Sequence, residues 1–204
     1  MTTYKRGAPL KFRTADLCGA KTDRGHNMST SSGLPFWPMA PRIEDVRVQD
    51  IAEHLARLCR FNGALRFDVE HYSVAQHCSL CSDNVPPEYA LEALLHDAAE
   101  AYVGDRIKPL KQLMPDHERA ERRIEELIRL KFGLPLKKSA AVKEADYRAV
   151  LTERRDVLHP DTAELVDWGV AKADPWPEKI VAWGVFQSRS EWLRRFKELY
   201  RDES

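Results

Sequence analysis

Nowhere in this 204-residue chain do apolar and polar residues alternate over the length of a β-strand, whereas apolar residues recur at helical spacing along most of it. That period belongs to helices that bury one stripe, so the expected fold is all-α, a compact bundle of about six or seven helices. Capping chemistry marks the boundaries. DIAEHLARLCRF opens with Asp50 and Glu53 in capping-box spacing, carries Ile51, Leu55 and Leu58 as its stripe, and stops at Asn62-Gly63. SVAQHCSLCS opens in the same way with Ser73 and Gln76, which sets His77 one turn into a helix ended by Asn84, Pro86 and Pro87. A third helix enters near Glu88 and closes at Gly104. HERAERRIEELIRLKFG is a long charged helix ending at Gly133, with Ile124, Leu127, Ile128 and Lys131 inward. SAAVKEADYRAVLTERRDVL starts near Ser139, with Val142, Ala145, Ala149 and Val150 as apolar positions. In SRSEWLRRFKELY, Ser188 and Glu191 stand in capping-box spacing, and Trp192, Phe196 and Leu199 share one side.

The length suits a single domain. Residues 1–47, rich in Gly, Ser, Thr and Pro around Phe36 and Trp37, read as an irregular segment packed on a helical domain over 48–204. Lys plus Arg number 32 and Asp plus Glu number 32, so no global field favours a nucleic acid polymer or an anionic membrane; a small anion needs only a local pocket. No signal-like or membrane-length apolar run is present, and a cytoplasmic protein is expected. The four cysteines, Cys18, Cys59, Cys78 and Cys81, then read as reduced thiols, and the CSLC pair as buried helical residues. The aromatic Trp168, Trp176 and Trp183 are read as packing the C-terminal third.

The stretch LLHDAAEAYVGD carries chemistry. At about 100° per residue, Leu91, Leu94, Leu95, Ala98 and Tyr102 share one side of a helix, and His96, Asp97 and Glu100 the other. His77 on the preceding helix and Asp146 in KEADYR on a later one add further donors. Two imidazoles and two carboxylates form a mixed N/O shell suited to one divalent Mn, Fe, Co, Ni or Zn ion and less to Ca or Mg.

SVAQH, the motif HDxxExxxGDxxxPxK and VKEAD together resemble the HD-domain phosphohydrolases, in particular the small 5′-deoxynucleotidase-like group, over roughly residues 48–157. The resemblance implies His77, His96, Asp97 and Asp146 as metal ligands and Glu100 and Asp105 as catalytic carboxylates. It also implies a small phosphate ester as substrate, foremost a nucleotide, with a nucleoside triphosphate or non-catalytic nucleotide binding as alternatives. Glu100, one turn beyond His96, is placed to reach a water rather than the ion. Gly104 lets the chain leave the helix and aim Asp105 over the site, as proton donor or water-orienting group.

A phosphate also needs cations or polar partners. Lys108 and Lys111, beside Pro109, are candidates, as are Arg57 and Asn62, which lie where the related enzymes contact substrate. Those enzymes read Asn-Arg-Trp after the first helix; Asn62-Gly63-Ala64 here omits an arginine that the resemblance puts near the sugar. His71 is a candidate to support the site, and Glu153, two turns beyond Asp146, either supports it or forms an ion pair. His26, His54, His117 and His159 read as surface or loop residues. The stripe of the His117–Lys131 helix and that of Trp192, Phe196 and Leu199 exceed what one small bundle need bury, which predicts a homodimer.

Overall fold

The computed structural model describes residues 24–161 and 173–200; Cys18 and Trp168 lie outside them, as does the side chain of Lys108. The all-α expectation is met by α1 (Val48–Arg57), α2 (Val74–Asp83), α3 (Ala90–Leu95), α4 (Glu100–Val103), α5 (Lys108–Lys111), α6 (Pro115–Lys131), α7 (Ala140–Asp156) and α8 (Val185–Leu199). The strand content among the described residues is one antiparallel pair, β1 (Met28–Ser29) with β2 (Pro35–Phe36), in which Met28 faces Phe36.

Two of the expected caps form, and two do not. Ser73 Oγ accepts the Gln76 N–H at 3.1 Å, and Ser139 Oγ accepts that of Val142 at 3.3 Å. Helix α1, however, starts two residues before Asp50, whose buried carboxylate instead accepts the Ser32 N–H at 2.7 Å and the Ser32 hydroxyl at 2.9 Å. A tertiary partner thus takes the place of the local cap, and it fastens the segment before α1. Phe36 of that segment stacks on Tyr102, ring centroids 3.8 Å apart, inside the main core. In α8, which follows Gly184, Ser188 is a buried residue one turn inside the helix rather than its cap.

Helix α2 runs through the middle of the bundle and packs on α1, α3, α7 and α8. Buried nearly all round, it has no single apolar stripe, and its polar residues find internal partners. Ser79 donates to Ala75 O at 3.0 Å and Ser82 to Ala90 O at 2.9 Å, while Gln76 donates to Val181 O and accepts from Trp183 N, both at 2.8 Å. The core around it joins Ile51, Leu55, Val74, Leu94, Ile124, Ile128, Trp192 and Phe196. Trp192 and Phe196 therefore lie inside their own bundle, so the apolar side of α8 is not surplus surface.

The single helix expected over 88–104 is broken at its centre. Between α3 and α4 the chain tightens, with Ala98 N bonded to Leu95 O at 3.1 Å and Glu100 N to Asp97 O at 3.0 Å. Three-residue turns eclipse positions i and i+3, which brings Asp97 and Glu100 into line where 100° spacing would separate them. Helix α4 ends at Gly104, whose N–H bonds Glu100 O at 2.7 Å.

A buried ion pair fixes the other side of the site. Arg129 NH1 of α6 meets Glu92 Oε1 of α3 at 3.2 Å and Pro135 O at 2.6 Å, and the same Glu92 oxygen accepts Ser139 N at 2.8 Å. The loop between α6 and α7, which carries Lys138, is held there.

Gly104 has φ 81° and ψ 152°, a region that essentially only glycine occupies without strain. Gly104→Ala is expected to lower stability by about 1–3 kcal/mol. Urea unfolding should show a lower midpoint with unchanged slope.

Candidate metal centre

Three elements converge. His77 comes from α2, His96 and Asp97 from the tight turn after α3, and Asp146 from α7. The Nε2 atoms of the two imidazoles are 3.2 Å apart. Asp97 Oδ2 lies 3.6 Å from His77 Nε2 and 3.2 Å from His96 Nε2; Asp146 Oδ1 lies 3.3 Å and 3.8 Å from the same atoms. Donors held about 2.0–2.2 Å from one ion stand roughly 3–3.6 Å from each other, which is the spacing of a first coordination shell.

The hydrogen bonds behind the rings point the same way. His77 Nδ1 is 2.6 Å from Glu153 Oε1, and His96 Nδ1 is 2.7 Å from the Ala93 carbonyl. Both partners are acceptors, so each Nδ1 carries the proton and a neutral ring is left with a bare lone pair on Nε2. Two lone pairs facing each other beside two carboxylates are satisfied only by positive charge. The residues present therefore fit a cation.

The electrostatics of the pocket also favour positive charge at this point. Burial alone would push the carboxyl of Asp146 up, but hydrogen bonds from His77 and His96 outweigh it and hold that group well below the usual carboxylate range. For Asp97 burial is likewise outweighed, by His96 and Lys138. Burial disfavours imidazolium at His77 and His96, yet the surrounding anions raise both well above an ordinary histidine.

Two thiols stand beside the rings. Cys81, one turn after His77, places Sγ 3.9 Å from His77 Nε2, and His77, Cys81 and His96 form one buried group able to hold a metal ion; Cys78, His96 and Asp97 form another. Both cysteines are buried and free, in line with their reading as reduced helical residues, but they sit at the centre rather than away from it. The four-residue interval from His77 to Cys81 is the sequence signal for this, since i and i+4 share a helix face.

Around these four residues, His77, His96, Asp97 and Asp146, lies a mixed ring of acids and bases. Glu100 is 4% exposed; its Oε1 is 3.4 Å from Lys111 Nζ, and its Oε2 is buried with no hydrogen-bond partner. Burial, then Asp97 and Asp105, raises its pKa well above an ordinary glutamate. Burial also raises that of Asp105. Lys138 Nζ approaches Asp97 Oδ1 at 3.9 Å. Arg60, just beyond α1, reaches inward. Its NH2 donates to Glu153 Oε2 at 3.2 Å, and its NH1 is 3.9 Å from both Asp97 Oδ2 and Asp105 Oδ2.

The sequence reading missed Arg60 and Lys138. Arg60 stands three residues before Gly63, the position at which the resemblance expects an arginine, and it brings a guanidinium to the site. It is brought there by a backbone bridge, with Arg60 N bonded to Tyr72 O at 2.8 Å and Val74 N to Leu58 O at 3.0 Å, and by a reversal in which Phe61 and Asn62 both have φ 55°. Arg57 is exposed and ion-paired with Glu53, and Asn62 is exposed. Lys111 is beside Glu100. His71 Nε2 bonds the Ala56 carbonyl at 2.8 Å. His54 and His117 are not free surface groups: their rings reach Ala101 O at 2.8 Å and Val103 O at 3.1 Å, fastening α4 from two sides.

No family model matches the chain. It is 48% identical over 130 residues to the uncharacterized protein YfdR of Escherichia coli K12, which covers 64% of this chain and 71% of YfdR. The chain belongs to the YfdR family. An uncharacterized protein of Rhodobacter capsulatus is 34% identical over 122 residues, 56% of this chain and 62% of that protein. Neither relative's name states an activity. Among the described residues no helix is long and apolar enough to cross a membrane.

His96→Ala and Asp146→Ala each remove a converging donor. Elemental analysis of the purified variants is expected to show loss of bound transition metal, against about one ion per chain in the parent. Wild-type metal content in both would reject the ligand set.

Proposed function

We propose that this YfdR-family protein is a metal-dependent phosphohydrolase of the HD type, acting on a small phosphate ester, foremost a nucleotide. The observation that carries this reading is that Asp97 and Asp146 each stand 3.2–3.8 Å from the facing Nε2 atoms of His77 and His96, with the unpartnered Oε2 of Glu100 buried in the same site. A binding protein needs the first of these features but has no use for the second. A divalent ion held by His77, His96, Asp97 and Asp146 would supply Lewis-acid chemistry, stabilising phosphoryl charge and lowering the pKa of water so that hydroxide is available at neutral pH.

The protein's own residues do the rest. Glu100 accepts the proton of the attacking water, a task helped by a carboxyl whose affinity for protons is raised by burial. Asp105 lies across Arg60 from Glu153 and either donates a proton to the leaving oxygen or orients the water. Arg60 and Lys138 approach the ligand carboxylate Asp97 from two directions, at 3.9 Å each, and present their charge to phosphate oxygens. Lys111 is held between Glu100 and Glu121, the latter at 2.9 Å, and tunes Glu100. Lys108 completes the basic segment after Asp105. The substrate is taken to be a small molecule, because Arg60, Lys111 and Lys138 converge on one largely buried centre. A homodimer remains part of the proposal on the resemblance alone, since the α6 stripe, like that of α8, lies inside the bundle with Ile124 and Ile128 buried.

The test is phosphate release from nucleoside mono-, di- and triphosphates with Mn²⁺, Co²⁺, Ni²⁺ and Zn²⁺. On the best substrate, Glu100→Ala is expected to keep its metal and lose about 10²–10⁴-fold in kcat. Activity within a few-fold of the parent, or loss of the metal, would reject the role given to Glu100.

A further inference from the structure

Glu153 is fully buried, and none of the steps above uses it. It is 0% exposed, on α7 two turns beyond Asp146. Its Oε1 accepts from His77 Nδ1 at 2.6 Å and from the Tyr72 hydroxyl at 2.9 Å, and its Oε2 accepts from Arg60 NH2 at 3.2 Å. One carboxylate therefore orients both a candidate metal ligand and the cation that faces the substrate side.

The rest of Arg60 shows what that orientation leaves open. Its NH1 stops 3.9 Å from Asp97 Oδ2 and 3.9 Å from Asp105 Oδ2, too long for a hydrogen bond to either, and its Nε is buried with no partner. A guanidinium anchored through NH2, with NH1 in hydrogen-bond contact with neither Asp97 nor Asp105, keeps donors ready for an anion that comes between them. The anchoring acid also fixes the His77 ring, and with it the lone pair that a cation would meet.

We propose that Glu153 is a positioning residue that couples occupation of the metal centre to capture of a phosphate group, by holding His77 and Arg60 through its two oxygens at once. The proposal rests on the phosphohydrolase reading for the identity of the anion, but the link between the two sites is a property of Glu153 itself. Rotation of its carboxylate loosens both partners together, and each ligand, by fixing its own partner, favours the carboxylate position that the other needs. Such coupling is reciprocal.

The experiment uses Co²⁺ and inorganic phosphate as probes, on the full chain, with no turnover required. Co²⁺ affinity is read from visible absorption and phosphate affinity by calorimetry at saturating Co²⁺. Glu153→Gln is expected to weaken Co²⁺ binding about 10–100-fold and to weaken phosphate binding about tenfold, the value of a charge-assisted contact. Arg60→Gln should weaken phosphate to a similar extent while leaving Co²⁺ affinity within about threefold. The double variant should bind phosphate no worse than Arg60→Gln alone, because the two residues act as one unit. A Glu153→Gln protein that loses Co²⁺ affinity but keeps that for phosphate, or losses that multiply in the double variant, would overturn the coupling while leaving the metal centre and its reaction intact. Unchanged phosphate affinity in Arg60→Gln would overturn both the coupling and the anion-binding role of Arg60. If melting shows that Glu153→Gln does not fold, Tyr72→Phe serves instead. It removes only the 2.9 Å hydroxyl contact, and is expected to weaken both ligands by a few-fold in parallel. No change in either would refute the proposal.

Discussion

Two imidazole nitrogens 3.2 Å apart, each with its ring proton engaged on the far side, cannot face one another in a protein interior without a positive charge between or upon them. Much of the architecture can be understood as the means of enforcing that encounter. His77 is held in the central helix, which leaves it no route to solvent. His96 sits where a helix is interrupted by a tighter turn, so that its ring and the Asp97 carboxylate project together. Asp146 closes the group from α7, whose start is capped by Ser139 and fastened by the Glu92–Arg129 pair. A buried pair of that kind adds little net stability but is costly to break from one side, which makes it a good device for fixing a loop.

The charges around the centre are arranged by distance from solvent. Glu153 is the deepest; burial would raise its pKa, yet Arg60 and His77 hold it down at about 2. Glu100 is almost as buried but lies among other acids, and its proton affinity rises instead. Two glutamates in one site are thus driven in opposite directions by what stands next to them, one towards a permanent anion that positions its neighbours and one towards a group that can exchange a proton. The separation of roles needs no difference in residue type.

Helical periodicity determined a great deal. The all-α class follows from it, and so do α6 and α7 with their buried Ile124, Ile128, Val142, Ala145 and Ala149, because amphipathic stripes and Ser caps are local signals. Gly104 was legible for a similar reason, since a glycine after a helical run marks a conformation other residues resist. The four candidate ligands could be named because their residue types and order along three helices form a pattern that a one-dimensional reading can hold.

Other features were decided only when the chain closed on itself. Asp50 and Ser188 carry cap-like spacing, but a tertiary partner and a buried position claimed them, and no local rule states which competitor wins. Arg60 belongs to no motif; a backbone bridge to Tyr72 and two residues at φ 55° turn it inward, while Arg57, on the regular helix, stays outside. Cys81 is one turn from His77 in any helix, yet its nearness to His96 depends on α2 and α3 packing side by side. Glu153 meets His77 across 76 positions of sequence and Arg60 across 93. Sequence by itself determined which elements form and which side chains carry chemistry, because those depend on neighbours three or four residues away. The tertiary structure alone decided which of those side chains share one buried volume, because charge, desolvation and hydrogen bonding act through space.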